Sequence, residues 1–290
     1  MGDEDGDDDD YGSPFNSNNI DSDYYEPDEF QKKFSNIQGV SSYFHLNCRS
    51  LNSNWENFRD LLCELHGNTF AFDFIGISEV FGNSNDGRIN LPGYHDFLAR
   101  TRDDRKGGGV GLFVKDNINY KIREDLSVFI PHIFESIFIE TQYETKGKSN
   151  EIIGVIYRPN TQPRADLDVF TSTLFDLMEI INQKQIKCKL LGDFNINLLN
   201  YGHHEKTKTY FDSIFSLGFL PQITKPTRVT TSTATLLDHI YSNTTPPESI
   251  NGIIINDVAD HFGIFYIEKH KYKHSNVNII QKRFSLRIMF

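Results

Sequence analysis

The sequence predicts an α/β protein in which two mixed β-sheets pack face to face with helices outside. Apolar runs of strand length outnumber segments with helical periodicity, and the two kinds do not alternate as a repeating βαβ parallel sheet requires. Packing two sheets against each other buries such runs. The 290 residues are 38% hydrophobic, enough for a sizeable core.

Residues 1–29 are rich in Asp, Ser, Asn and Gly, include the run DEDGDDDD, and lack the apolar periodicity of a packed element. They read as an acidic disordered tail that contributes nothing to folding. Residues 1–30 hold 12 of the 40 acidic residues and none of the 29 Lys and Arg, so the rest of the chain is close to neutral. The formal net charge of -11 therefore does not argue against a polyanionic substrate.

The ordered domain is placed at 40–268. Residues 41–47, SSYFHLN, read as a strand ending in a polar cluster. Asn54 is the candidate N-cap of a helix carrying Trp55, Phe58, Leu61, Leu62 and Leu65 on one face. A buried strand follows at 72–78, with Glu79 immediately beyond it. Strands at 96–100 and 109–115 flank the polar loop 101–108. The run GGGVG at 107–111 has no helix after it and no Lys-Ser/Thr to complete a Walker pattern, so it marks a tight strand start. Residues 134–140 alternate apolar with polar, and a strand at 151–157 is stopped by Arg158, Pro159 and Asn160. Leu167, Phe170, Leu174, Leu177, Met178 and Ile181 then mark a helix.

The stretch 189–198, KLLGDFNINL, is central. A strand at 188–191 followed by a turn at Gly192 would deliver Asp193 and Asn195 to one side of its carboxyl end. A helix from about Glu205 turns Tyr210, Phe211, Ile214 and Phe215 inward and stops at Gly218, a left-handed cap. Strands at 236–241 and 250–255 come next, and Asp260 and His261 stand just before a last strand at 262–267. Residues 269–290 read as a C-terminal extension or truncated linker.

Asn47, Glu79, Tyr157 with Asn160, Asp193 with Asn195, Asp238, and Asp260 with His261 all fall at strand ends. Glu79, Asn47 and Asp260 supply the oxygen donors that a hard cation such as Mg²⁺ prefers. Phosphodiester hydrolysis needs an activated water and compensation for charge growing on phosphoryl oxygens. His261 suits a phosphate partner or proton carrier, with a carboxylate such as Asp238 fixing its tautomer. His239 follows Asp238 in an alternating strand and should face the other way, as a structural residue. Cys48, Cys63 and Cys188 form no CxxC pair and read as reduced thiols of an intracellular protein. No signal peptide opens the chain and no apolar run approaches bilayer length.

In chain order, NCRSL from Asn47, Ser78-Glu79, YRPN at 157–160, GDFN at 192–195, LDHI at 237–240 and ADH at 259–261 resemble the motifs of the endonuclease/exonuclease/phosphatase superfamily. Within it, FHLNCRSL, ISEVF, GGGVGLFV, VIYRPN, LLGDFNINLL, KPTR with TLLDHIYSN, and ADHFGIF resemble the endonuclease domain of non-LTR (LINE-type) retrotransposons. The resemblance spans about Tyr43 to Ile267.

It implies a four-layer αββα sandwich with the site at one end of the paired sheets, and Mg²⁺-dependent (or Mn²⁺-dependent) cleavage of DNA, an activity exercised in the nucleus. Position by position it implies that Glu79 binds the metal, with Asn47 in its shell and Asp260 on the metal side. Asp193 would handle the proton of the attacking water or leaving group, and Asn195 would steady the phosphate. His261 would polarise the phosphate or act as the base, oriented by Asp238. Tyr157 and Asn160 would touch the scissile phosphate, and Thr235 is a candidate DNA contact.

Arg49 stands where abasic-site repair members carry an acidic residue, which favours target-site nicking over abasic-site repair. A retrotransposon polyprotein would continue into a reverse transcriptase, which this chain lacks. The basic loop 100–106 and the polar segment 224–235 are candidate grips on a duplex backbone. The rival expectations are another phosphodiesterase or phosphatase acting on RNA, nucleotides or phosphoinositides, and an inactive remnant that only binds nucleic acid.

Overall fold

The computed structural model describes residues 20–269, except 68, 83–87, 103–106, 131, 143–148, 161–164 and 247. In chain order the strands are β1 (Asp23–Tyr25), β2 (Val40–Asn47), β3 (Phe74–Ser78), β4 (Leu98–Arg100), β5 (Val110–Val114), β6 (Tyr120–Ile122), β7 (Phe129–Ile130), β8 (Phe134–Thr141), β9 (Glu151–Tyr157), β10 (Lys187–Asp193), β11 (Leu220–Pro221), β12 (Arg228–Val229), β13 (Ala234–Thr235), β14 (Asp238–Ser242), β15 (Ser249–Ile254) and β16 (Gly263–Lys269). The α-helices are α1 (Pro27–Phe34), α2 (Leu51–Leu65), α3 (Ala165–Gln183) and α4 (Glu205–Ser216).

One seven-stranded sheet runs β1-β15-β16-β2-β3-β5-β4; the other runs β11-β14-β10-β9-β8-β6, with β7 also on β8. Both mix parallel and antiparallel pairs, and β12 and β13 form a separate hairpin. Alternation along each strand sorts side chains to its two faces. Tyr43, Phe74, Leu112 and Ile264 of the first sheet join Ile137, Val155, Leu191 and Ile240 of the second in the central core. The same core continues to Phe170 of α3 and Tyr210 of α4 beyond the second sheet. Phe44, Ile75, Ile77 and Phe265, on the opposite face of the first sheet, pack with Phe30 and Phe34 of α1 and Phe58 and Leu62 of α2. The order helices, sheet, sheet, helices is the sandwich the sequence predicts.

Several boundaries differ from the sequence reading. The end of the expected tail, residues 23–29, is folded: β1 pairs in parallel with β15, and α1, which starts at Pro27, packs on the first sheet. Composition hid three aromatics, Tyr25, Phe30 and Phe34, which are 8%, 0% and 3% exposed. Pro27 opens α1, and the side chain of Glu29 returns to the backbone N–H of Glu26. Residues 1–19 and 270–290 lie outside the described residues.

Helix α2 begins at Leu51 after Ser50, one turn earlier than expected. The Asn54 amide donates to the carbonyls of Cys48 and Arg49 instead of capping. Gly192 lies inside β10 rather than in a turn, and an added Cβ there would stand 1.9 Å from the Ile156 carbonyl oxygen. Phe215 is 46% exposed, not inward. Gly218 does end α4 with φ of 77°. The cysteines are free, with Cys48 and Cys188 buried and Cys63 exposed. No helix among the described residues is long and apolar enough to cross a membrane.

Candidate active site

Register gathers the polar strand ends. Asn47 pairs with Ser78 across β2 and β3, while Asp193 pairs with Tyr157 across β9 and β10 and with Asp238 across β10 and β14. The carboxyl ends of β2, β3, β9 and β10 therefore meet the amino ends of β14 and β16 at one end of the sandwich. Three residues just past the strand ends, Arg49, Glu79 and Asn195, have left-handed backbone with φ of 40°, 59° and 48°. Such strained turns redirect the chain where a site is built.

Asp193 is buried under three donors. The Asn47 amide donates to Oδ2 at 2.9 Å, the Asn195 backbone N–H to Oδ1 at 2.9 Å, and the Asn195 amide to Oδ2 at 3.1 Å. These bonds favour the ionised carboxylate, but burial and the negative charge of Asp238 outweigh them and raise the group to about 7.

Asp238 is fully buried, and its Oδ2 accepts the Thr227 hydroxyl at 2.6 Å and His261 Nδ1 at 2.8 Å. Burial alone would raise its pKa, yet the facing His261 charge and these bonds hold it below the ordinary value. Burial likewise pushes the His261 ring down, while Asp238 and the neighbouring carboxylates overcome this and hold it at about 9. Polar atoms of Asp193, Asp238 and His261 lie within 4.8 Å of one another. One end of the sandwich thus holds, near neutral pH, a carboxylate able to exchange a proton beside a protonated imidazole.

Glu79 sits half-buried beside this trio. Its Oε1 accepts from the Asn47 amide at 2.9 Å and the Tyr157 hydroxyl at 3.2 Å. The glycine run braces it: the Gly109 carbonyl accepts the Glu79 N–H at 2.9 Å and the Gly108 carbonyl accepts that of Phe81 at 3.0 Å. Gly107, Gly108 and Gly109 all have positive φ, the conformational reason for three glycines. Fully buried Glu135 pins this turn, accepting from the Gly109 N–H and from Arg102 Nε, each at 2.5 Å.

Of the expected site residues, Asn47, Glu79, Tyr157, Asp193, Asn195, Asp238 and His261 are brought together. Asn160 is exposed just past β9. Asp260 reaches the rim next to His261, but its Oδ2 is held by Arg228 at 2.6 Å and lies 3.9 Å from Arg49. Both Arg228 bonds end on Oδ2 and none is formed by Oδ1. Thr235 sits in the β12–β13 hairpin, its hydroxyl 3.4 Å from the Arg228 carbonyl. In the basic loop, Arg100 donates to the Ser127 carbonyl and Arg102 pairs with Glu135; 103–106 lie outside the described residues. His239 points away, buried beside Phe194 and Tyr241, as expected.

Thr227 escaped sequence reasoning, although it lies within the quoted KPTR. Besides donating to Asp238, its hydroxyl accepts the backbone N–H of Leu237 and Asp238 at 3.2 and 3.1 Å. His45 and Ser78 were also missed. His45 Nε2 lies 2.9 Å from Ser78 Oγ, and its Nδ1 faces Asp238 at 3.8 Å. Burial keeps this ring neutral, at about 4. Only the polar letters S and H inside an apolar strand signalled them.

Residues 44–261 match the sequence model of the Endonuclease/Exonuclease/phosphatase family. Among solved structures, the endonuclease domain of TRAS1, described as a telomere-specific non-LTR retrotransposon, superposes with a TM-score of 0.57 at 11% identity, covering 79% of this chain and 98% of that one. The Xenopus laevis APE2 catalytic domain gives 0.57 at 14%, covering 80% and 94%. The 3′-5′ exonuclease NExo from Neisseria meningitidis gives 0.55 at 13%, covering 79% and 100%. At these identities the likeness is one of fold. A search of curated protein sequences found no match.

Proposed function

The chain belongs to the endonuclease/exonuclease/phosphatase family, and we propose that within it the protein is a metal-dependent endonuclease that nicks DNA and leaves a 3′ hydroxyl. The observation that carries this reading is the pairing of Asp193, raised to about 7, with His261, held at about 9, within one polar cluster. Proton transfer and charge stabilisation at a phosphate need such a pair. The narrower choice of DNA and of the 3′ hydroxyl draws on the motif resemblance and on the TRAS1 fold likeness.

The oxygen donors present fit a hard divalent cation. Glu79 Oε1 is fixed by two donors, which leaves Oε2 of this half-buried carboxylate as the oxygen available to a cation. Glu79, with Asn47 beside it, would hold Mg²⁺ or Mn²⁺, which when bound supplies positive charge for the phosphoryl oxygens. Tyr157 keeps Glu79 in place. Asp193, ionised above about pH 7, accepts the proton of the attacking water. His261 spends Nδ1 on Asp238, so Nε2–H is left to donate to a phosphoryl oxygen. Asn195, whose amide is steadied by the Arg158 carbonyl at 2.8 Å, orients Asp193 and lines the phosphate position, with Asn160 at the outer edge.

The test is conversion of supercoiled plasmid to open circles with Mg²⁺, with EDTA, Asp193→Ala and His261→Ala as controls, followed by extension of the nicks with a DNA polymerase. Nicking that is abolished by EDTA and falls about 10²-fold or more in each variant, with extendable ends, supports the reading. Nicking that survives EDTA overturns it. Hydrolysis confined to nucleotides or inositol phosphates would assign the same site to a phosphatase.

A further inference from the structure

We propose that residues 20–26 form a strap that positions the Asp238–His261 pair, with Tyr24 as a positioning residue acting through the segment 222–227. The strap lies outside the part of the chain that matches the family, 44–261.

Its seat is built into both sheets. Strand β1 adds to the edge of the first sheet beside β15, with Asp23 opposite Gly252. A Cβ at that glycine would come within 2.8 Å of the Asp23 carbonyl oxygen and 2.7 Å of the Tyr25 ring, so the seat requires Gly. The segment 222–227 leaves β11, the edge of the second sheet, and the strap grips it almost residue by residue. Buried Ser22 and Thr224 exchange two bonds, backbone N–H to hydroxyl in each direction, both 3.1 Å. The Ser22 hydroxyl also donates to the Gln222 carbonyl at 3.3 Å. Lys225 lies 3.2 Å from Asp21 and 3.8 Å from Asp23. The Tyr24 hydroxyl donates to the Pro226 carbonyl at 3.0 Å.

Thr227, next along, holds the site. Its hydroxyl donates to Asp238 and accepts from two backbone N–H groups, while its carbonyl accepts the Phe262 N–H at 2.7 Å. Phe262 follows His261, and the Tyr24 ring meets the Phe262 ring edge-on, with centroids 6.3 Å apart and planes at 84°. One side chain of the strap therefore touches Pro226, the neighbour of the Thr227 that holds Asp238, and Phe262, the neighbour of His261. A tenth of a nanometre of slack at either position would change the angle at which His261 meets a phosphate, and catalytic rates are steep in such displacements. Tyr24 bonds to Pro226 and packs on Phe262, and touches none of Asn47, Glu79, Tyr157, Asp193 or Asn195, so the strap should act on turnover more than on substrate affinity.

The kinetic arm of the test rests on the phosphodiesterase reading; the exchange arm does not. In the full chain, with every variant assayed below its melting transition, Tyr24→Ala should lower kcat about 10-fold and leave KM within about twofold. Tyr24→Phe keeps the ring against Phe262 but loses the bond to the Pro226 carbonyl, and should recover only part of the loss. Adding Tyr24→Ala to Thr227→Val should slow the enzyme no further than Thr227→Val alone, because the first change acts through the second. Amide exchange should rise about 10-fold at Leu237, Asp238 and Phe262, whose N–H groups end on Thr227. Fully additive losses, an unchanged kcat, or unchanged exchange at those three amides would overturn the strap. A wild-type protein that hydrolyses nothing would overturn the nuclease reading instead, with the exchange result still deciding for or against the strap.

Discussion

Replacing Asp238 with Asn keeps the shape of the side chain and removes the charge that sets both neighbours. His261 stands at about 9 against an ordinary 6.5, a preference for the protonated ring worth roughly 3 kcal/mol. Asp193 stands at about 7, raised first by burial and then by the charge of Asp238. Removing that charge should move both groups down together, His261 back toward 6.5 and Asp193 below 7. In single-turnover plasmid nicking at saturating Mg²⁺, the wild-type rate should rise through about pH 7 as Asp193 loses its proton. It should fall through about pH 9 as His261 loses its own. At pH 8 a ring of pKa 6.5 is only about 3% protonated, so the variant should lose about 30-fold from protonation alone. The descending limb should appear near pH 6.5, with some activity returning in mild acid. The stability sign follows from the same rise: His261 contributes stability that is fully present below 6.5 and lost as pH climbs through about 9. The gap in melting temperature between wild type and variant should therefore narrow above pH 9. A descending limb that stays near pH 9 in the variant would refute this assignment of His261.

Three further outcomes test separate parts of the site. Thr227→Val leaves one Asp238 oxygen and two backbone N–H groups short of a partner, and should cost about 1–3 kcal/mol in urea unfolding as well as slowing turnover. Glu79→Gln should raise the Mg²⁺ concentration for half-maximal rate about 10-fold or more, measured by titrating the metal at fixed substrate. Gly192→Ala places a Cβ 1.9 Å from a backbone oxygen in the middle of the second sheet, and should cost about 3 kcal/mol or more, read from soluble yield and the circular dichroism melt.

The two-sheet architecture was legible because a strand buried on both faces is written as a short uninterrupted apolar run. VGLFV and the IIGVIY of β9 are such runs, FESIFIET was read instead from its apolar-polar alternation, and β5, β8 and β9 fall on or within one residue of the predicted spans. The short strands β6, β7, β11, β12 and β13, of two or three residues, were not legible, since nothing in so few residues separates a pairing from an extended loop. Strand β1 and helix α1 were lost for a different reason. Averaged over the first 29 residues, acidity dominates, yet what folds the end of that segment is three aromatics at positions 25, 30 and 34 and a proline at 27. Composition is a mean, and packing depends on positions.

The site divides along the same line. Polar residues that end apolar runs stand out, so Asn47, Glu79, Asp193, Asp238 and His261 could be picked from the sequence. Residues that support them from within have no such contrast. Thr227 is one of several threonines between 224 and 235, and nothing in the sequence separates it from the others. Thr227 holds the buried carboxylate because the chain doubles back: its N–H donates to the Thr235 carbonyl at 2.9 Å, which swings its hydroxyl 11 residues onward to Asp238. His45 of the first sheet, nearly two hundred residues away in the chain, brings Nδ1 to 3.8 Å from the other oxygen of the same carboxylate, too far for a hydrogen bond. A buried charge needs donors from several directions, and antiparallel return segments and the facing sheet are the sources near the end of a sandwich. Locating such donors requires the register of the sheets, whereas the reactive groups announce themselves by being polar where the pattern calls for apolar.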